Sequence, residues 1–393
     1  MHSLNSHMMN LFSLLLVIFA LLSFSCKTSK VTPENTAESV VTIPQQLARP
    51  ILPSSAPKNI ILMIGDGMGL TQASAGMYAN DNRIAFERVP VIGLHKSYSS
   101  DNLVTDSAAG ATAFACGKKT YNGAIGVDPD TVACQTLLEY ASSIDMATGL
   151  VATSTIVHAT PASFFGHEAL RSSYENIAIQ LAESDVDFFV GGGKQFFSQR
   201  IEDSRNLIKE MEAKGRNVED FFDTPFDKIS ANPQQQFGYF AANKDPLPVA
   251  QGRNYLVPAT EVAMDYLDKR DVENKGFFLM IEGSQIDWGG HANKSEYIIS
   301  ETIDFSNAVD KVLDFAERDG ETLVVITADH ETGGYAIAYG SRQDSIIGNF
   351  TSDYHTGTMV PVYAAGPGSQ AFGGIYENTA IYDKVIQYLA TRN

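Results

Sequence analysis

The chain has 393 residues, of which 44% are hydrophobic and 19% charged; that is enough apolar matter for a sizeable core and excludes a disordered polypeptide. Lys+Arg 28 against Asp+Glu 46 leaves a formal net charge of −18, which disfavours non-specific binding to nucleic acid or to an anionic membrane. Three cysteines are too few for a disulfide scaffold.

In chain order, the first feature is an apolar run, Leu11 to Phe24. It is short for a membrane span and fits the core of a signal peptide over residues 1–25. Ser25-Cys26 follows at once, which resembles a bacterial lipoprotein cleavage site with Cys26 as the lipidated residue, although the first ten residues carry no Lys or Arg. The expectation is an exported protein, periplasmic or anchored to a membrane only through Cys26. Residues 26–57, with Pro33, Pro44, Pro50, Pro53 and Pro57 among Ser, Thr and Gln, read as an extended tether. Residues 58–393 then form the folded domain. The two cysteines left in it, Cys116 and Cys134, are as compatible with buried thiols as with a bridge.

Asn59–Ile64, Thr148–Thr153, Phe277–Ile281, Leu323–Ala328 and Pro361–Ala365 are continuous apolar runs and read as buried strands. Between them, Asn176–Glu183, Thr260–Lys269, Ser295–Glu317 and Thr379–Thr391 read as helices. The alternation predicts an α/β fold, a large central, mostly parallel sheet flanked by helices on both faces. Residues 192–255 are more polar and read as a peripheral insertion or lid. Such sheets bind ligands at the carboxyl ends of their strands.

Chemistry-bearing residues gather at those ends. The first strand runs into Gly65-Asp66-Gly67-Met68-Gly69, and the Phe277 strand into Glu282 and Ile286-Asp287-Trp288-Gly289-Gly290-His291. The Leu323 strand runs into Asp329-His330-Glu331-Thr332-Gly333-Gly334, and Tyr354-His355-Thr356-Gly357 precedes the last strand. A lone Asp at a strand end is ordinarily a cap or turn former, and a lone His a surface residue. Repetition changes that reading: imidazole with carboxylate is the ligand set of zinc and related metals, and Asp287 and His291, at i and i+4, share one face of a helical turn. The residues predict a metal centre. Thr105-Asp106-Ser107-Ala108-Ala109-Gly110-Ala111-Thr112-Ala113 supplies a candidate nucleophile, because Ser107 would stand at a helix start, where backbone N–H groups favour an anion. Read by itself, the segment is better explained by Asp106 or Ser107 as a simple cap; beside a metal cluster, activation of Ser107 is the better reading.

Taken together, GDGMG, TDSAAGATA with GKKTYNGAIGVD, HATPASFFGHEALR, EGSQIDWGGH, TADHETGG and HTGT resemble the alkaline phosphatases, in that family's order from about Lys58 to the C-terminus. The resemblance implies a homodimeric phosphomonoesterase that binds two Zn2+ and one Mg2+ per subunit. It implies Ser107 as the nucleophile that becomes phosphoserine and Arg171 as the phosphate-clamping arginine. It also implies Asp287, His291 and His355 as ligands of the first zinc, and Asp66, Asp329 and His330 as ligands of the second. Asp66, Thr160 and Glu282 would hold magnesium. His158 stands where that family often has aspartate and Trp288 where it often has lysine, so the third metal and the contacts to the outer phosphate oxygens are the points the resemblance leaves in doubt. His95 and His167 match no ligand. The competing readings are a phosphodiesterase or sulfatase on the same bimetal scaffold, and a surface lipoprotein that binds phosphate or metal without turnover.

Overall fold

The computed structural model describes residues 56–391. The signal sequence, Cys26 and nearly all of the tether lie outside the described residues. Eight strands come first in chain order: β1 (Asn59–Gly65), β2 (Val91–Lys96), β3 (Ala147–Thr155), β4 (Phe188–Gly192), β5 (Asn217–Asp220), β6 (Phe237–Phe240), β7 (Phe277–Gly283) and β8 (Thr322–Thr327). With Val360–Ala365 and Gly374–Glu377 they make one ten-stranded sheet, ordered Gly374–Glu377, β2, Val360–Ala365, β8, β1, β7, β3, β4, β6, β5. Every pairing is parallel except the two made by Val360–Ala365, which runs antiparallel to β2 and β8.

All seven residues of β1 are buried because both faces of the sheet are covered. Ile60, Leu62 and Ile64 point into one core, with Phe114, Leu137, Ile177 and Val385; Ile61 and Met63 point into the other, with Leu267, Phe305 and Val312. The period-two alternation of a strand thus feeds two helical layers. One layer contains α2 (Ser107–Cys116), Tyr174–Glu183 and Thr379–Ala390; the other contains α1 (Leu70–Ala79), Leu256–Arg270 and Ser295–Asp319. Each fully buried Ile, Leu or Met stabilises the fold by about 1.5–3 kcal/mol. The strand ends that carry polar residues are therefore rooted in the most stable part of the molecule.

Register sets those ends level. Ile64 pairs with Glu282 on β7 and with Thr327 on β8, and Glu282 pairs with Ala152 on β3. Asp66 and Asp329 each lie two residues beyond that line. Val360–Ala365 runs the other way, so its N-terminal approach, and not its end, arrives at the same edge, with Val360 paired to His95 of β2. That reversal brings His355 to the edge, where Thr356 pairs with Glu331 and His355 with Thr332.

Within residues 192–255, β5 and β6 continue the sheet beyond β4 and form one of its borders. Cys116 and Cys134 are joined as a disulfide with Cα atoms 5.9 Å apart, closing the loop that follows α2. His95 is fully buried, with Nε2 2.8 Å from the Ala328 carbonyl oxygen, and burial pushes it down to about 4. His167 lies 2.7 Å from the Gly126 carbonyl oxygen and 2.8 Å from Glu139 Oε1. Both are structural histidines. Among the described residues, no helix is long and apolar enough to cross a membrane.

Candidate active site and metal centre

The turn after β1 is tight: the Gly67 N–H donates to Asp329 Oδ1 at 3.2 Å, and Gly67 has φ +73°. A Cβ there would lie 2.7 Å from the Asp287 Cα, so only glycine allows this turn to pack against the helix Gln285–His291. Gly110 of α2 is equally constrained, since a Cβ would lie 2.9 Å from the Asp329 Cβ. These contacts press Asp66, Asp287, Asp329 and the start of α2 together.

The three histidines at the edge are oriented by their far nitrogens. His291 Nδ1 lies 2.7 Å from the Asp353 carbonyl oxygen and His355 Nδ1 lies 2.8 Å from that of Thr105. A carbonyl only accepts, so each Nδ1 carries a hydrogen and each Nε2 is turned toward the cluster. His330 Nδ1 lies 3.2 Å from Thr332 Oγ1, whose own hydroxyl is bonded to Asp287 Oδ1. Thr332 therefore ties Asp287 to His330. His291 Nε2 and His355 Nε2 converge to 3.1 Å, and each lies 3.4 Å from an oxygen of Asp287. His330 Nε2 lies 3.3 Å from Asp329 Oδ2 and 3.5 Å from Asp66 Oδ1.

Among the described residues, three groups of donor atoms are compact enough to hold a cation: Asp287, His330 and His355; Asp66, Asp329 and His330; and Asp66, His158 and Glu282. His291 adjoins the first group through His355, and Asp66 belongs to two groups. Thr160 sits at the N-terminal turn after His158, fully buried. Glu282 Oε2 accepts from Ser284 at 2.6 Å and from Ser154 at 3.3 Å. Its other oxygen has no hydrogen-bond partner, and the same is true of both oxygens of Asp66, Asp329 Oδ2, Thr160 Oγ1 and His158 Nδ1.

Unpartnered buried oxygens are costly unless a cation meets them. Burial, followed by the charges of Asp329, Asp287 and Glu282, pushes Asp66 far above the usual carboxylate range. Burial pushes Glu282 up to about 8, with Asp329 adding to it against a Ser284 hydrogen bond, and burial and Asp287 push Asp329 up to about 6. Asp287 is the exception: despite burial, hydrogen bonds with His291 and His355 hold it well below its ordinary value. Burial, then Arg171, pushes His158 down to about 3, and burial with the neighbouring His355 depresses His330, so both imidazoles are neutral. Carboxylates held this close with their oxygens unpaired fit divalent cations.

Beside this cluster, α2 begins at Ser107. Asp106 is the cap, accepting from the Ala109 N–H at 3.0 Å, and Ser107 is the first helical residue, with Oγ 3.3 Å from His330 Nε2. Of the two cap candidates in this segment, Asp106 is the one that caps. Arg171 Nη1 donates to Asp106 Oδ2 at 2.8 Å, and Nη2 lies 3.4 Å from His158 Nε2. Trp288 is half-buried and meets His158 edge to face at 6.2 Å. Ser107, Arg171, Trp288 and all nine expected ligands are therefore brought to one place.

The sequence reading did not include Asp106, Thr332 or Ser284 as site residues. Asp106 aims Arg171, Thr332 orients Asp287 and His330, and Ser284 holds Glu282. Only Thr332 had a local signal, a hydroxyl two residues after a histidine at a strand end.

The alkaline phosphatase family model matches residues 57–349. Alkaline phosphatase 3 of Bacillus subtilis is 35% identical, over 84% of this chain and 89% of that protein. The chain belongs to the alkaline phosphatase family. The solved alkaline phosphatase of the Antarctic bacterium TAB5 is 43% identical with a TM-score of 0.80, over 85% of this chain and 98% of that one, and a variant of it was solved with magnesium in its M3 site. A cold-active alkaline phosphatase from a psychrophilic Shewanella species is 30% identical, with a TM-score of 0.76, over 84% and 99%. The chain is thus an enzyme acting on phosphate esters, and groups of residues able to hold a metal stand at the edge described above.

Proposed function

We propose that this alkaline phosphatase hydrolyses small phosphate monoesters through a phosphoserine on Ser107. The observation that carries the reading is the placement of Ser107 Oγ, at a helix start and 3.3 Å from His330 Nε2, beside an arginine and three cation-ready groups. Asp287, His291 and His355 would hold one zinc, and Asp66, Asp329 and His330 a second. Asp66, Thr160 and Glu282, joined by His158, would hold magnesium. When bound, these ions neutralise phosphoryl charge and lower the pKa of attacking and leaving oxygens. Ser107 Oγ forms the bond to phosphorus as the ester P–O bond breaks, and the alcohol departs with a proton. Water then attacks the phosphoserine, which frees inorganic phosphate and restores the Ser107 hydroxyl. Arg171, held by Asp106, forks onto two phosphate oxygens. The N–H groups at the start of α2 face the same charge.

The reading extends to an exported enzyme, with Cys26 lipidated and residues 26–57 as its tether, that works as a homodimer. It is tested by assaying an aryl phosphomonoester, a diester and a sulfate ester side by side, with and without chelator. The expected result is chelator-sensitive turnover of the monoester far above the other two; equal turnover of the diester or sulfate would overturn it.

Arg171→Ala should weaken inorganic-phosphate inhibition and kcat/KM by about 10- to 100-fold, since a charged hydrogen bond is worth about 1.5–3 kcal/mol. Chemistry should survive, because the metal ligands are untouched. Steady-state kinetics checks this, and an effect as complete as loss of Ser107 would mean that Arg171 does more than clamp.

His158 offers nitrogen where magnesium prefers oxygen. His158→Asp should therefore raise magnesium affinity and reduce the dependence of activity on added magnesium after mild chelation. Magnesium titration followed by metal analysis checks it; identical curves for both proteins would show that His158 does not tune the third site.

A further inference from the structure

Four side chains form a row from the helix start to solvent. Ser107 Oγ lies 3.3 Å from His330 Nε2. The His330 ring stacks on His355 with centroids 3.5 Å apart and planes at 16°. His355 stacks in turn on Tyr354, at 4.5 Å and 12°. Tyr354 also packs against His291 at 5.9 Å, and it is 49% exposed. The inner two rings belong to candidate metal ligands and are buried. The outermost ring rests on His355 and packs against His291, and about half of it is open to solvent. Leu103 is 80% exposed and lies two residues before Thr105, whose carbonyl orients His355. An exposed tyrosine and leucine beside so polar a cluster are not required by the core.

In-line displacement places the leaving oxygen on the far side of phosphorus from the attacking Ser107 oxygen. The organic part of the ester must also point toward solvent, because the phosphoryl group occupies the buried end. We infer that Tyr354 is the platform of the leaving-group subsite, and that it makes esters with a planar aromatic leaving group preferred over small alkyl esters. The inference rests on the monoesterase reading above and deepens it. Ring pairs of this kind contribute beyond the area they bury, so the preference should be modest, about 3- to 10-fold.

Tyr354 is a specificity residue and not part of the bond-making set, so the test uses inhibitors that are not turned over. Benzylphosphonate and ethylphosphonate mimic an aryl and a methyl ester and differ only in the ring. Inhibition constants for both, and for inorganic phosphate, are measured on the metal-loaded enzyme and on Tyr354→Phe, Tyr354→Leu and Tyr354→Ala. Wild type and Tyr354→Phe should favour benzylphosphonate by about 3- to 10-fold. Tyr354→Leu, which keeps apolar bulk without a ring face, and Tyr354→Ala should lose most of that preference. Inorganic phosphate, which has no leaving group, should bind all four within about twofold. An equal preference in wild type and Tyr354→Ala overturns the platform while leaving the monoesterase reading intact. A wild-type enzyme that binds neither phosphate nor phosphonates overturns the monoesterase reading itself, and this inference with it.

Discussion

Ser107→Ala should lower kcat for a phosphomonoester by on the order of 10³- to 10⁶-fold, the range seen when a nucleophile is removed from an otherwise intact site. The hydroxyl is the only atom group lost, and Ala is a better helix former than Ser, so the start of α2 should persist. Asp106 still caps the helix and still holds Arg171. Inorganic phosphate should therefore remain a competitive inhibitor of residual activity and bind at near wild-type strength. Acid-quenching the enzyme with labelled substrate should trap phosphoprotein from wild type and none from the variant. Near-wild-type turnover through a labelled phosphoenzyme in Ser107→Ala would refute the assignment of the nucleophile.

The second large effect should come from the ligand cluster. Asp329→Ala or His330→Ala should each remove one metal equivalent and cost at least about 10²-fold in activity, since loss of even an outer-shell partner typically costs 10- to 100-fold. The reason is visible in the donor atoms: Asp66, Asp329 and His330 form one compact group, and Asp66 also belongs to the group containing Glu282. With Asp329 gone, the cation loses a charge and Gly67 loses the acceptor of its N–H, so the turn that presents Asp66 loosens as well. His330→Ala leaves the hydrogen bond between Gly67 and Asp329 in that turn intact while removing the imidazole, with its Thr332 contact and its stacking on His355, which separates loss of the turn from loss of the ring. Metal analysis of purified protein decides the matter, and unchanged stoichiometry in both variants would overturn this ligand set. Prolonged chelation of the wild type should give the same activity loss with a lower midpoint of thermal unfolding, because an ion that binds only the folded chain stabilises it.

Much of this site was legible before any coordinates. Buried strands announce themselves as apolar runs, and a parallel sheet covered on both faces presents its ligands at strand ends. Asp66, Glu282, Asp329 and His330 could therefore be picked out by position alone. Asp287 and His291 were legible from helical spacing, and Ser107 from the Ala-rich helix that it opens. The motif resemblance then assigned each a role. What stayed out of reach were contacts whose partners are far apart in the chain. Asp106 looked like a cap and is one, yet its second oxygen holds Arg171, 65 residues away. Thr332 joins Asp287 to His330 across 45 residues. Nothing local distinguishes Asp106 from any other turn aspartate, and the position of Thr332 two residues after His330 does not reveal its partner Asp287.

The sequence by itself determined the α/β class, the strands that root the site and the donor types gathered at their ends, because these follow from side-chain periodicity and residue chemistry. Only the tertiary structure decided four further matters. Val360–Ala365 runs antiparallel, and this direction is what delivers His355 to the edge where parallel strands end. The carbonyls of Asp353 and Thr105 hold the hydrogens of His291 and His355 on Nδ1, so that both Nε2 atoms face inward. Cys116 and Cys134 pair with each other, and Tyr354 stands at the open end of a stack of histidines. Strand direction, tautomer, pairing and exposure all depend on which distant segments the fold brings into contact, and no local pattern of residues encodes that.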